Sequence, residues 1–492
     1  MLLTTILKDW ADIPETLAAF NVEKLVSDSR QIGEGDCFVA IPGLTHDGSA
    51  YAKIAAEKGA SLLIIDDQSE MAQSEVVASH KAHIVCVSNL ALKAGLLFSR
   101  FYEHPSRQLK VIGVTGTNGK TSVALMLAQL LERLGKSSAV IGTLGAGDWS
   151  DLKEAQTSGL HTHTTPDAPQ LQKLLHEFEQ AKKEYVIMEV SSHGLSQGRL
   201  SGTKFSAVIF TNLSRDHLDY HGTMEAYAEA KAQLFQWPEL ETSMINNDDA
   251  VGATISSVAT KALTYSLNGP SDYQLTELSL NESGLDGLLI HGGEKYVLAA
   301  GLLGRFNAYN ILACVGVLHA QGFTLADILS ATITIQSPLG RMQLLDASVP
   351  VVIDFAHTPD ALAQVLIALK HHCSGKLHVV FGCGGDRDIG KRAEMGAIAG
   401  KHADVIWVTS DNPRSENPET ILSHIQAGIS KEQQHNVQIQ VDRKEAIFKA
   451  ITQLQTGDWL VIAGKGHEDY QEIKGVKHPF SDISIAQEAL SI

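Results

Sequence analysis

Residues 109–122 read LKVIGVTGTNGKTS, and this stretch decides the fold class. Val111, Ile112 and Val114 are β-branched residues suited to a buried strand. The run stops at Gly116-Thr117-Asn118-Gly119. Lys120, Thr121 and Ser122 then open a stretch with Val123, Leu127, Leu130, Leu131 and Leu134 at helical spacing. Strand, glycine-rich turn and helix form the unit of a parallel α/β sheet. The same unit makes a phosphate cradle. Glycines let backbone N–H groups approach anionic oxygens, and the positive helix end favours them. In such a loop Lys120 neutralises the β/γ-phosphates of a nucleotide and the Thr121 hydroxyl serves Mg²⁺. The strict pattern G-x-x-x-x-G-K-[ST] fails once, because Val114 stands where its first glycine belongs.

Outward from this loop, short apolar runs alternate with helical stretches along the whole chain, which predicts α/β domains. Upstream, CFVAIPG, SLLIID and HIVCVS read as strands, and YEHPSR with Pro105 reads as a connector. Downstream, YVIMEV and SAVIFTN read as further strands. The stretch from about 260 to 300 reads as irregular short strands and turns, and 307–320 (NAYNILACVGVLHA) as a buried helix. Four more strand-like runs follow: PVVIDFAH, LHVVFGCGGDRD, DVIWVTSDNPRSE and WLVIAGKGHE. Each ends in a polar loop bearing Gly or Pro. Open parallel sheets bind ligands outside the carboxyl ends of their strands, so these loops are candidate site elements. The expected division is three α/β domains, 1–105, 106–336 and 337–492.

The 492-residue chain carries a formal charge of -17, which argues against a nucleic-acid partner. Small anions remain compatible with it, since backbone donors and a few cations suffice. MLLTTILKDW meets Lys8 and Asp9 early and does not read as a signal peptide. No run of about 18 apolar residues predicts a membrane span. Cys37, Cys86, Cys314, Cys373 and Cys383 have no C-x-x-C spacing, so reduced thiols in a cytoplasmic protein are expected.

TGTNGKTS resembles the nucleotide loop of the Mur ligase and folylpolyglutamate synthase superfamily. MEVSSHGL, NLSRDHLDYH, EAKAQLF, LGRFNAYN, PLGRMQ, DFAHTPDAL, GGDRDIGKR, DNPRSE and GKGHE extend the resemblance, in order, over nearly the whole chain. Together they are similar to the diaminopimelate-adding branch of the Mur ligases. The resemblance implies an N-terminal UDP-binding domain, a central P-loop ATPase domain and a C-terminal Rossmann-like domain. It also implies an ATP-dependent amide ligase of peptidoglycan precursor synthesis. Such an enzyme adds meso-diaminopimelate to UDP-N-acetylmuramoyl-L-alanyl-D-glutamate through an acyl phosphate, and a monomer is expected.

Site roles follow from the resemblance residue by residue. Gly116 to Ser122 would hold ATP, with Asn307 near the adenine and Arg341, Asp354 and His357 as further nucleotide contacts. Glu189 and His217 would be metal-site residues beside Thr121. A carboxylate at a strand end suits Mg²⁺. Lys231 matches a lysine that carries a CO₂-derived carbamate and acts as a metal ligand; carbamate formation needs a neutral amine. Read without the family, a helical lysine is a solvated surface residue. Lys120, Glu189, His217 and Lys231 are thus the candidate catalytic set.

Asp411-Asn412-Pro413-Arg414 is the candidate specificity loop. Meso-diaminopimelate differs from lysine by a second carboxylate at its far end, and an Arg fork can bind a carboxylate through two parallel hydrogen bonds. Arg414 therefore argues against a lysine-adding relative. By resemblance, Glu468 with Gly464 accepts the far ammonium and Arg387 holds the other carboxylate. Ser27 and Ser29, with Leu44, Thr45 and His46, resemble the uridine-binding stretch. His163, Thr164, Thr165, Ser191, Gln197 and Arg199 match contacts to the sugar and peptide. His163 stands where some relatives carry Asn, and Leu44-Thr45-His46 departs from the expected tripeptide. A non-catalytic nucleotide-binding protein would be expected to lose Lys231, Glu189 or the Asp411–Arg414 stretch.

Overall fold

The structure, a computed structural model, describes residues 1–43, 47–69, 82–154, 164–281, 283–345, 347 and 349–491. Leu44, Thr45, His46 and His163 therefore lie outside the described residues. The chain divides into two compact units, Met1–Thr264 and Tyr265–Ile492.

The first unit starts with four parallel strands in sequential order: β1 (Leu25–Val26), β2 (Cys37–Ala40), β3 (Leu62–Asp66) and β4 (His83–Val87). The three runs read as strands upstream of the loop are β2, β3 and β4. Helix Leu90–Phe101 follows, and Pro105–Arg107 forms a single 3₁₀ turn before the next sheet.

That sheet contains β5 (Lys110–Thr115), β6 (Ser138–Gly142), β7 (Gly145–Gly147), β8 (Tyr185–Glu189), β9 (Ala207–Phe210) and β10 (Thr242–Asn246), ordered β10-β9-β5-β8-β6-β7. Strand β5 is central and parallel to β8 and β9. Its residues after Lys110 are all buried, as a strand covered on both faces requires. Helix Lys120–Arg133 leaves the loop with Val123 to Leu131 all buried. The chain reverses spatial order after β5, so the ends of β5, β8 and β9 open on one crevice.

The stretch that begins just before the second unit is more regular than expected. Residues 260–300 are regular: β11 (Ala262–Ser266) pairs in parallel with β12 (Tyr273–Asn281), which continues into an antiparallel meander with β13 (Gly284–His291) and β14 (Glu294–Ala300). These strands bury one face only. In β12 Tyr273 and Leu275 are buried whereas Glu277, Ser279 and Asn281 tend outward, and a register shift between Thr276 and Ser279 breaks the alternation. That polarity and the register shift are why a reading by apolar runs gives only irregular short strands and turns here, and misses their length and regular pairing. Helix Arg305–Ala320 is buried along most of its length, as expected.

The rest of this unit is a six-stranded sheet. It comprises β15 (Gln343–Leu344), β16 (Val351–Asp354), β17 (Leu377–Phe381), β18 (Val405–Val408), β19 (Val437–Ile439) and β20 (Trp459–Ala463), ordered β15-β16-β20-β17-β18-β19. The pairs β16–β20, β20–β17, β17–β18 and β18–β19 are parallel. The four strand-like runs of the last third are β16, β17, β18 and β20, and because these strands are parallel their polar loops emerge at the same, carboxyl end of the sheet. A hairpin of β21 (Tyr470–Ile473) and β22 (Val476–Pro479) follows β20. Among the described residues no helix is long and apolar enough to cross a membrane.

Candidate active site

The phosphate loop is fixed by the end of β9. Thr117 N–H donates to the Asn212 carbonyl at 2.9 Å, and Asn118 N–H to Asn212 Oδ1 at 2.9 Å. Thr211 Oγ1 donates to the Asn118 carbonyl at 2.6 Å. Gly116 has φ 149°, and a Cβ there would lie 1.9 Å from Thr211 Oγ1, so only glycine fits this approach. Lys120 folds over its own loop and donates to the Gly116 and Thr117 carbonyls at 2.8 and 2.9 Å. Ser122 lies in the first turn of the helix that the loop opens.

A second ammonium reaches the same loop. Lys231, in helix Met224–Ala232, is 1% exposed and donates to the Gly116 carbonyl at 3.0 Å. Its Nζ lies 4.6 Å from the Tyr227 ring centroid, and Tyr227 Oη is 3.3 Å from Thr117 Oγ1. Burial, and next the Lys120 charge, push the Lys231 amine well below its ordinary range. The surface reading of this lysine is thereby overturned: the helix is almost uniformly small and polar, so no apolar stripe marks which face turns inward.

Glu189 ends β8 and is buried. Its Oε1 accepts from Thr121 Oγ1 at 2.9 Å and Thr143 N–H at 2.9 Å, and its Oε2 from Thr143 Oγ1 at 3.1 Å. His217, at φ 52°, caps a short helix, lies 3.5 Å from Asp216 Oδ2 and packs edge-on against His193. Among the described residues no three His, Cys, Asp or Glu side chains gather as a metal cluster. The hard-oxygen pair Glu189 and Thr121 is what the loop offers a divalent ion.

The residues matched to sugar and peptide contacts surround Glu189. Thr165 Oγ1 donates to the Glu189 carbonyl at 2.9 Å and accepts from Ser191 N–H at 2.9 Å. Thr164 Oγ1 accepts from Thr143 Oγ1 at 3.2 Å, and Ser191 Oγ accepts from Gly194 N–H at 3.0 Å. Arg199 donates to the Thr165 carbonyl at 2.7 Å and to Gln197 Oε1 at 3.0 Å. Ser27 and Ser29 are set apart from this network, at the end of β1; there Asp28 pairs with Arg30, and Lys58 donates to the Ser29 carbonyl at 2.9 Å. The Arg30 hydrogen bond holds the Asp28 carboxyl below the usual range. Thr143, Asn212 and Tyr227 had no assigned role in the sequence; only Asn212 lay in a singled-out motif.

The second unit holds a separate cluster at the ends of β16, β17, β18 and β20. Arg414, at φ 50°, donates through Nη1 to the Gly385 carbonyl at 2.7 Å, and its Nε lies 3.2 Å from Glu472 Oε2. Its backbone bridges to β21 through Arg414 N–H to the Glu472 carbonyl and Lys474 N–H to the Arg414 carbonyl. Asn412 Nδ2 donates to Glu468 Oε2 at 3.0 Å. Pro413 is buried between them. Gly464, at φ 117°, passes so close to Asp411 that a Cβ would lie 2.6 Å from Asp411 Oδ2. Arg387 lies in the same β17 loop as Gly384 and Gly385, exposed.

Asp354 ends β16 and is buried, accepting from Met342 N–H at 2.7 Å and Ala356 N–H at 2.8 Å. Burial raises its carboxyl, partly offset by those bonds and Arg341. Arg341 lies over the Phe355 ring at 4.6 Å, and His357 Nδ1 is 2.9 Å from the Phe355 carbonyl. Asn307 is buried; its amide donates to the Leu303 carbonyl at 2.9 Å and accepts from Asn310 Nδ2 at 2.9 Å. Its amide is thus satisfied by Leu303, just before its helix, and by Asn310 within it, and no hydrogen bond ties it to Asp354.

Comparison with known proteins gives the same order of parts. Residues 21–102 match the Mur ligase family catalytic domain, 114–318 the Mur ligase middle domain and 340–466 the Mur ligase glutamate ligase domain. The chain is 45% identical to the UDP-N-acetylmuramoyl-L-alanyl-D-glutamate–2,6-diaminopimelate ligase of Ectopseudomonas mendocina, over 97% of both chains. It is 44% identical to the protein of the same name from Pseudomonas aeruginosa, over 96% of this chain and 95% of that one. A solved structure of a ligase of that name matches with a TM-score of 0.76 at 37% identity, covering 98% of this chain and 97% of the other. Identity of this degree over nearly the full length, with the phosphate loop and strand-end cluster intact, means that the chain belongs to the Mur ligase family.

Proposed function

We propose that the chain is an ATP-dependent ligase that joins 2,6-diaminopimelate, as the meso isomer, to UDP-N-acetylmuramoyl-L-alanyl-D-glutamate in peptidoglycan precursor synthesis. The observation that carries this reading is Arg414, a guanidinium held by Gly385 and Glu472 at the end of β18, in a chain that also carries a strand–glycine loop–helix phosphate cradle. Residues 1–105 would serve the UDP-sugar, 106–336 ATP and 337–492 the amino acid.

Forming an amide from a carboxylate is uphill, and an acyl phosphate made from ATP supplies the driving force. The chain's residues then act mainly by position and charge. The Gly116–Thr121 backbone and Lys120 cradle the transferring phosphate. Lys120 is released from its loop carbonyls when phosphate oxygens replace them. Thr164, Thr165, Ser191, Gln197 and Arg199 align the peptide carboxylate near Glu189, with Ser27 and Ser29 on the uridine side. Arg341, Asp354, His357 and Asn307 are the proposed nucleotide contacts of the second unit.

The donors beside the loop fit Mg²⁺: a carboxylate and a hydroxyl are hard oxygen ligands. Glu189, Thr121 and His217 would hold it, and the ion supplies neutralisation of phosphate charge. Lys231 joins that set as a carbamate. Its buried, neutral-leaning amine suits reaction with CO₂, and the product exchanges a cation for an anion beside Lys120. In the second unit Arg414 takes the far carboxylate, Glu468 and Gly464 the far ammonium, and Arg387 the near carboxylate. We place the enzyme in the cytoplasm as a monomer.

The test is phosphate release by purified protein given ATP, Mg²⁺, UDP-muramoyl dipeptide and either meso-diaminopimelate or lysine. Turnover mainly with the former is expected, and Arg414→Ala should raise its KM by about 30-fold, near 2 kcal/mol. Equal turnover with lysine by the unaltered protein would defeat the specificity claim.

A further inference from the structure

Lys465, within the GKGHE stretch, has a side chain that is completely buried beneath the candidate amino-acid site. Its Nζ donates to Asn412 Oδ1 at 3.1 Å and to Glu468 Oε2 at 3.0 Å, and lies 4.0 Å from Asp411 Oδ1. It therefore ties the β18 loop to the β20 loop. Asn412 completes the link, since its Nδ2 donates to the same Glu468 Oε2 at 3.0 Å and its Oδ1 also accepts from Glu472 N–H at 2.9 Å.

The arrangement is asymmetric. Both donors converge on Oε2, and among the described residues Oε1 of Glu468 has no hydrogen-bond partner. A carboxylate fixed by one oxygen presents the other in a single direction. Behind it, Arg443 and Asp482 form a fully buried ion pair, with bonds of 2.8 and 2.7 Å, and Arg443 also donates to the Ala463 carbonyl at 2.9 Å. The residue before Gly464 is thus anchored too. Counting Lys465 and Arg443 against Asp411, Glu468 and Asp482 leaves one negative charge in excess, which suits a cationic ligand group.

We infer that Lys465 is a positioning residue that clamps Asn412 and Glu468 so that Glu468 Oε1 accepts the far ammonium of the incoming amino acid. This rests on the diaminopimelate reading above, which it deepens by separating ammonium recognition from the carboxylate grip of Arg414. Removing the clamp leaves Glu468 free to rotate, so ligands bearing the far ammonium lose affinity and those lacking it do not.

The experiment compares unaltered enzyme with Lys465→Met and Lys465→Gln, using meso-diaminopimelate and 2-aminopimelate, which keeps the far carboxylate but lacks the far amine. For Lys465→Met, KM for meso-diaminopimelate should rise about tenfold or more. KM for ATP and the UDP-linked dipeptide should stay within about twofold, a split that general unfolding does not produce. The preference for meso-diaminopimelate over 2-aminopimelate should shrink by the same factor. Lys465→Gln, which keeps a donor, should fall between the two and carries the test if the methionine variant does not fold. An unchanged preference in whichever variant folds overturns the inference. Failure of the unaltered enzyme to prefer meso-diaminopimelate over lysine would instead overturn the functional reading on which it rests.

Discussion

The phosphate loop of the first unit and the strand-end cluster of the second are built by opposite means. Around Gly116 the fixed parts are backbone: Thr117 and Asn118 N–H groups pinned on Asn212, with two lysines resting on the Gly116 carbonyl. Around Arg414 the fixed parts are charged side chains: Lys465 on Glu468, Arg414 on Glu472 and Arg443 on Asp482. On the proposed function, the contrast follows what each region would recognise. Phosphate oxygens are many and equivalent, so a nest of N–H groups with a lysine close by suffices. A diamino diacid carries separate charges at both ends, so recognition needs individual charges held at set positions.

The largest expected effect lies in the first region. Lys231→Met should reduce ligation by roughly 100–1,000-fold, as expected when a charge beside the transferring phosphate is lost. With ¹³C-bicarbonate, unaltered protein should show a carbamate carbon resonance that is absent from the variant. A resonance that persists in Lys231→Met would mean that another amine carries the group, and Lys231 would leave the proposed metal-binding set.

Next comes the buried pair of the second region. Asp482→Ala leaves Arg443 charged and unpaired in the interior and should lower unfolding free energy by about 3–5 kcal/mol, measured by denaturant titration. A loss below about 1 kcal/mol would show that side-chain charge does not hold this region together.

The smallest effect is a difference in acid sensitivity. His372 accepts from Gly304 N–H at 3.0 Å through Nε2, which leaves Nδ1 to donate to the Asn281 carbonyl; that is the neutral tautomer. Burial lowers the pKa of His372 and likewise those of His378 and His467, and in the first unit that of His104, so the second unit carries more such histidines. A histidine lowered in the folded state binds more protons unfolded. Its contribution is full above the unfolded value, near 6.5, and is lost as pH falls through the lower folded value. Hydrogen exchange, corrected for intrinsic rate, should therefore show β16 and β17 losing more protection than β5 and β8 between pH 7.5 and 5.5. Equal losses would remove this distinction between the units.

Much of the fold was legible because parallel strands buried on both faces read as apolar runs; β5, β8, β17 and β20 are examples. The meander β12–β14 was legible only as irregular short strands and turns, since strands with one wet face and a register shift carry no such run. Asp411–Arg414 and 464–468 stood out as motifs, but their mutual bonds did not, because Asn412 and Lys465 are 53 residues apart.

By itself the sequence determined local matters: which runs are strands, where glycines permit a phosphate loop, and which residue types the family's chemistry requires. Only the tertiary structure decided that Lys231 is buried on the Gly116 carbonyl rather than solvated, and that Lys465 clamps Glu468. The physical reason is that propensity and periodicity act over neighbouring residues. Burial, pKa and ion pairing depend on which distant segments the fold brings within a few ångströms, and no short stretch encodes that.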